Sequence, residues 1–188
     1  MKPLEGADRS TLTALTTVGS GIRLFDTPAN ATEFLDQTAT WWRENSPDIR
    51  WRIPSGEVPT RTLDRLREMR DAIQALANGD RSVYERGLVA LADHYSFKMQ
   101  LPDGGFVPVA TGWDGFVAAL VPPLHELGSR ADRLRRCANH ECYWLFLDTS
   151  RNGMRTWCHS RLCGNKMRLQ RFRDRHRSAS DSGPAHGC

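Results

Sequence analysis

Four of the chain's five cysteines lie between Cys137 and Cys163. They form two pairs, Cys137/Cys142 and Cys158/Cys163, with four residues inside each pair and fifteen between the pairs. Two short turns, each offering two thiolates, can surround one ion tetrahedrally, and zinc–sulfur distances of about 2.3 Å demand such close approach. One structural Zn2+ held by all four thiols is the leading reading. Disulfides, an iron–sulfur cluster and unligated buried thiols are the alternatives. The N-terminal stretch MKPLEGADRSTLTALTTVGSG lacks a secretory pattern, which points to the cytoplasm, where thiols stay reduced. Familiar cluster spacings differ from this one. His140 and His159 sit inside the two turns and could replace a cysteine; with four thiols available, they are expected to support ligands or face solvent. Four protein ligands leave no open coordination position, which argues for structure over zinc catalysis.

The metal needs elements to hold it. Between the pairs, YWLFLDTSRNGMRTW reads as two short strands joined at Ser150–Gly153, with Asn152-Gly153 as the turn signal. Such a hairpin returns Cys158 close to Cys142. Trp144, Phe146, Trp157 and Phe172 are expected to supply the small core of this module. From Cys163 onward, CGNKMRLQRFRDRHR lacks proline and has partial helical spacing at Met167, Leu169 and Phe172. It reads as a short basic helix that begins at the last ligand. Arg161, Lys166, Arg168, Arg171, Arg173 and Arg175, with Arg151 and Arg155 at the hairpin tip, are the candidate nucleic-acid contacts.

These residues resemble the CGNR zinc-finger family. The resemblance rests on Cys137, Cys142, Trp144, Phe146, Asp148, Ser150, Arg151, Asn152, Trp157, Cys158, Cys163, Gly164 and Asn165. Lys166 stands where the family usually has arginine, which keeps the charge and loses the planar fork. Proteins of that family usually carry an upstream helical domain called ABATE, regarded as a stress-linked regulatory module. The resemblance implies a DNA-binding bacterial transcription regulator.

Charge divides the chain the same way. Residues 1–129 hold 13 Lys/Arg and 17 Asp/Glu, whereas residues 130–188 hold 13 Lys/Arg and 5 Asp/Glu. A mildly acidic body joined to a strongly basic module points to a polyanionic partner. No run of about 18 apolar residues exists, so no membrane span is expected.

The body reads as mainly helical. Thr27 and Pro28 mark a helix start, with Ala31, Phe34, Leu35, Thr38, Trp41 and Trp42 on one face. Leu63, Leu66, Met69, Ile73 and Leu76 keep helical spacing up to a stop at Gly79. A third helix is expected over SVYERGLVALADHY, with Val83, Leu88 and Leu91 inward and Gly87 as a weak point. FKMQLPDGGFVPVA alternates around PDGG and reads as a β-hairpin. In TGWDGFVAALVPPLHELG, Pro122 and Pro123 are expected to end or kink a helix. The first twenty residues read as a frayed start or short strand.

The expected fold class is thus α+β. A regulatory region with a β-hairpin covers 20–129, a zinc-stabilised hairpin-plus-helix module covers 130–177, and 178–188 has the composition of a disordered tail. The leading functional expectation is a DNA-binding transcription regulator whose N-terminal domain dimerises or binds a small effector. A module that docks on RNA polymerase or another protein without reading sequence is the second reading, and RNA binding a third. An enzyme is the least favoured class: nucleotide-binding glycine loops, nucleophile motifs and HExxH are absent, and His94 and His125 are single histidines in apolar helical surroundings.

Overall fold

The computed structural model describes residues 16, 18–20, 25–45, 53–100 and 105–181, with backbone alone for 40–45, 100, 105 and 178–181. Helix α1 spans Pro28–Asn45. Its start is the expected one: Thr27 Oγ1 accepts from the Asn30 N–H at 3.2 Å. Ala31 and Leu35 are buried, and Phe34 meets Phe25 edge to face at 5.7 Å. The side chains of Trp41 and Trp42, expected on that face, lie outside the described residues.

Helix α2 (Thr60–Ala77) is the centre of the body. Leu63, Leu66, Met69, Ile73 and Leu76 are all buried, as their spacing requires. Gly79 ends the helix with φ +86°, a conformation glycine adopts without steric cost. One residue on, the Asp80 carboxylate caps α3 (Arg81–Ala92), accepting from the Val83 N–H at 3.0 Å.

Two expectations for α3 are corrected. Val83 is 38% exposed, and Tyr84 takes the inward position instead. Capping at Asp80 sets the phase of the helix, and that phase turns Tyr84 towards Leu124, whose carbonyl accepts from its hydroxyl. Gly87 is a contact point: a Cβ there would come within 3.0 Å of Ala72 Cβ, so its bareness lets α2 and α3 approach.

Strands β1 (Phe97–Gln100) and β2 (Gly105–Pro108) pair antiparallel, Phe97 opposite Pro108 and Gln100 opposite Gly105. This is the expected hairpin; its turn at 101–104 lies outside the described residues. Helix α4 (Gly112–Gly128) runs through Pro122 and Pro123 and ends six and five residues later. Prolines at these positions leave the Ala118 and Ala119 carbonyls without intrahelical donors. Burial outweighs that loss, because Val121, Leu124 and Leu127 on the same stretch are buried against the core.

The basic module grows out of this body. After a 3-10 turn at Ala131–Arg133, strands β3 (Leu134–Arg136) and β4 (Leu145–Leu147) pair antiparallel, with Leu134 opposite Leu147 and Arg136 opposite Leu145. Leu134 and Leu145 belong to the same buried cluster as Leu66, Ile73 and Leu120. Thr16 and residues 18–20, within the stretch expected to be frayed or strand, are helical. Ser20 explains their place: its Oγ donates to Thr16 O at 2.6 Å and accepts from the Leu145 N–H at 2.8 Å. Helical backbone beside β4 thus places a hydroxyl that satisfies a strand N–H the two-stranded ladder leaves open. Arg136 adds a second tie, donating to Gln74 Oε1 at 2.6 Å and Asn78 Oδ1 at 3.2 Å.

Candidate metal centre

Cys137 follows β3 directly, and Cys142 precedes β4 by three residues. The strand pair therefore sets the first two thiols in the loop that closes a hairpin, beyond the Arg136–Leu145 pair. Asn139, which the sequence reading passed over, shapes the loop between them. It is buried; its carbonyl accepts from the Cys142 N–H at 2.8 Å and its Oδ1 from the Glu141 N–H at 3.2 Å. Its Nδ2 donates to Cys163 Sγ at 3.6 Å. The signal was an asparagine two residues after a ligand, where a side chain that closes a local turn is favoured.

The second pair arrives by a different route from the one expected. Ser150–Gly153 does turn, with Gly153 donating to Ser150 O at 3.3 Å and holding φ +64°. Gly153 is also close to Arg133, whose Nη1 lies 2.7 Å from where a Cβ would stand. The returning arm is not a strand, however; the ladder lies between β3 and β4. Asp148 is the reason. This buried carboxylate accepts from Ser150 N at 2.9 Å, Ser150 Oγ at 2.6 Å and Arg155 N at 2.9 Å. The arm is thus tied to a side chain and, through Thr156 O accepting from the Ala138 N–H at 2.9 Å, to the first cysteine loop, with no ladder along β4. Burial alone would push the Asp148 carboxyl up, but the bonds from Ser150 and Arg155 and the nearby Arg133 charge hold it below the usual aspartate value.

The four sulfurs converge. All lie within 4.8 Å of one another, with Cys142–Cys158 at 3.7 Å and Cys158–Cys163 at 3.6 Å. These are free thiols, far beyond the S–S length of about 2.05 Å. A tetrahedron with metal–sulfur bonds of about 2.3 Å has edges of about 3.8 Å, so the cluster fits one zinc ion. Electrostatics agree. Burial, then the crowd of neighbouring sulfurs from Cys163, Cys142 and Cys137, pushes the Cys158 thiol far above its ordinary value. A cation at the centre removes that cost. Two N–H donors face the sulfurs as well, Asn139 Nδ2 on Cys163 and Cys158 N on Cys137 at 3.5 Å. The chain thus carries one structural zinc site, with Cys137, Cys142, Cys158 and Cys163 as its ligands.

The histidines keep out of the set. His140 is exposed beside Glu141, and His159 Nδ1 accepts from the Leu162 N–H at 3.3 Å. His159 so opens a wide helical turn, Ser160–Gly164, that carries Cys163 and runs straight into helix α5 (Asn165–Asp181). Gly164 is buried against Trp157, whose Cδ1 lies 3.3 Å from a would-be Cβ.

The candidate contact residues divide by what they touch. Lys166 is ion-paired with Glu141, which raises its own pKa and lowers that of the acid. Arg155 lies 4.9 Å over the Phe146 ring and donates to the Trp157 and Cys158 carbonyls, so its guanidinium braces the second pair. Arg171 is 5.8 Å from the Trp157 ring centroid. Arg151, Arg161, Arg168, Arg171, Arg173 and Arg175 are exposed. Of the four aromatics expected in the module core, Phe146 is buried and Trp157 half-buried, but Trp144 is 36% and Phe172 53% exposed. Phe172 is two turns along a helix that leaves the module, too far out to join its core.

Residues 133–176 match the family model described as the CGNR zinc finger. A search of curated proteins finds no match. Among the described residues, no helix is long and apolar enough to cross a membrane.

Proposed function

We propose that the CGNR zinc finger at residues 133–176 makes this protein a duplex-DNA-binding transcription regulator of the cytoplasm. One observation carries the reading. Helix α5 starts at the last zinc ligand, and from Lys166 to Arg177 it bears six Lys/Arg against one carboxylate, Asp174. A helix so charged and so exposed repels itself unless a polyanion lies against it. Zinc fixes where that helix begins, and the β3–β4 pair fixes its origin on the body. The helical body, an ABATE-like regulatory region in this reading, takes the part of a dimerisation or small-effector domain. The protein has no catalytic role in it.

Titrating zinc-loaded protein into a labelled random-sequence duplex at several salt concentrations tests the proposal. Log affinity should fall linearly with log salt, with a slope equivalent to several phosphates. Charge reversal at Arg171 and Arg175 should flatten that slope. Binding that ignores salt, or is absent, sinks the proposal. The second reading, a module that docks on RNA polymerase or another protein, is favoured by exposed apolar side chains on the finger, Tyr143, Met154 and Leu162. It would retain partner binding after the charge reversal.

A further inference from the structure

Helix α5 has two sides with different tasks. From Asn165 to Arg177 every side chain is exposed except those of Met167 and Gln170, which are half-buried. At about 100° per residue, Met167 and Gln170 define the side towards the module. Leu169, Phe172 and His176 fall within about 60° of one another on the opposite side. Two of these are large exposed apolar groups, Leu169 at 56% and Phe172 at 53%. The Phe172 and His176 rings lie against each other at 4.2 Å, so the two side chains form one continuous surface.

Cations flank the ridge on both sides. Arg168 and Arg175 lie about 90° or less to one side, with Arg171 further round towards Trp157, and with Asp174 these three line a shallow cleft. Arg173 and Arg177 lie about 90° to the other side. An apolar ridge between two basic rows, pointing away from the protein, matches a groove with apolar features on its floor and phosphates on both rims. The DNA major groove is such a surface. It is about 12 Å wide, it admits a helix of about 10–12 Å, and thymine presents a methyl group on its floor. The RNA major groove is too narrow for side chains to read.

We infer that Leu169, Phe172 and His176 are the specificity-determining residues of this protein, reading thymine methyls in the major groove while the two arginine rows hold the flanking phosphates. This rests on the DNA-binding reading above and adds to it which residues read sequence. The ridge rises about 10 Å along the helix axis, enough for about three base pairs at 3.4 Å each. The site it reads is therefore short and contains thymine.

The test is a selection from a random duplex DNA pool with the full-length zinc-loaded protein and with the double variant Leu169→Ser/Phe172→Ser. Both side chains are exposed, and one zinc per chain in each protein confirms equal folding. The wild type should enrich a short motif containing thymine. Remaking that duplex with deoxyuridine should weaken binding about tenfold or more, since only methyl groups are removed. The double variant should keep salt-dependent binding to the unselected pool, lose the enrichment, and be indifferent to the uracil exchange. Enrichment of the same motif by the variant, equal affinity for the two duplexes, or no enrichment by a wild type that still binds DNA overturns the inference and leaves the DNA-binding reading standing. No salt-dependent duplex binding by the wild type overturns both.

Discussion

The Asp148 carboxylate accepts from the Arg155 backbone N–H, seven residues further along the chain, at 2.9 Å. That bond closes the loop that returns the second thiol pair to the first. Asp148→Asn keeps one oxygen and puts an N–H₂ group where a donor already points. The expected cost is about 1.5–3 kcal/mol, that of one charge-assisted bond lost at a part-buried donor. Chelator competition should show zinc leaving the variant more easily, while circular dichroism of the helical body stays close to wild type. Unchanged zinc affinity would mean that the turn holds without its carboxylate.

Cys163→Ser removes the ligand from which α5 starts. One zinc per chain should fall to little or none by native mass spectrometry, because hydroxyl oxygen is a poor substitute for thiolate. The α5 helicity should fall with it, since a helix with both flanks charged has little else to hold it. Site-specific hydrogen exchange should speed up most from 160 to 177 and by a smaller factor across α2 and α4, whose core includes Leu134 and Leu145.

Gly128 ends α4 where the Tyr84 ring passes. A Cβ there would stand 2.8 Å from Tyr84 Cε1 and Oη, and Tyr84 is buried with its hydroxyl donating to Leu124 O. Gly128→Ala is expected to destabilise the body by about 1–3 kcal/mol through overpacking. Thermal unfolding should show a lower midpoint. No change would mean that Tyr84 can retreat without loss.

Burial also raises the Tyr84 phenol to about 12 from an ordinary value near 10, against smaller opposing effects of a backbone bond and Arg81. The neutral form is the folded form, so its contribution is complete below about pH 10 and is lost as pH rises towards 12. Tyr84→Phe should cost about 1 kcal/mol at neutral pH for its bond to Leu124 O, and should lessen the alkaline loss. Denaturant midpoints from pH 8 to 12 would record both effects. Parallel curves for the two proteins would assign the alkaline loss to other groups.

Periodicity carried the body well. The inward positions of α2, the stop at Gly79, the start at Thr27–Pro28 and the β1–β2 pairing follow from local chemistry, and the structure has each of them. The four thiols were legible for the same reason: paired spacing is a local signal of a shared ion. What failed was tertiary. Of the two outcomes expected at Pro122 and Pro123, an end or a kink, packing of Leu124 and Leu127 overrules the end. Phe172 looks like a core residue by type, yet only the direction of α5 decides that it faces outwards. The strand partner of β4 was misread because Asp148 captures a backbone N–H that alternation alone would give to a ladder.

The tie between Ser20 and Leu145, and the place of Leu134 and Leu145 in the helical core, join two equilibria. A metal that binds only the folded chain stabilises it by an amount set by its concentration relative to its dissociation constant. Because the strands that flank the first thiol pair are also core strands, that stabilisation reaches α2 and α4. Reciprocity then requires that a molecule whose affinity for the helical body depends on the bound ion changes the affinity of the thiols for that ion by the same factor. Metal occupancy thereby becomes a gauge of the state of the body.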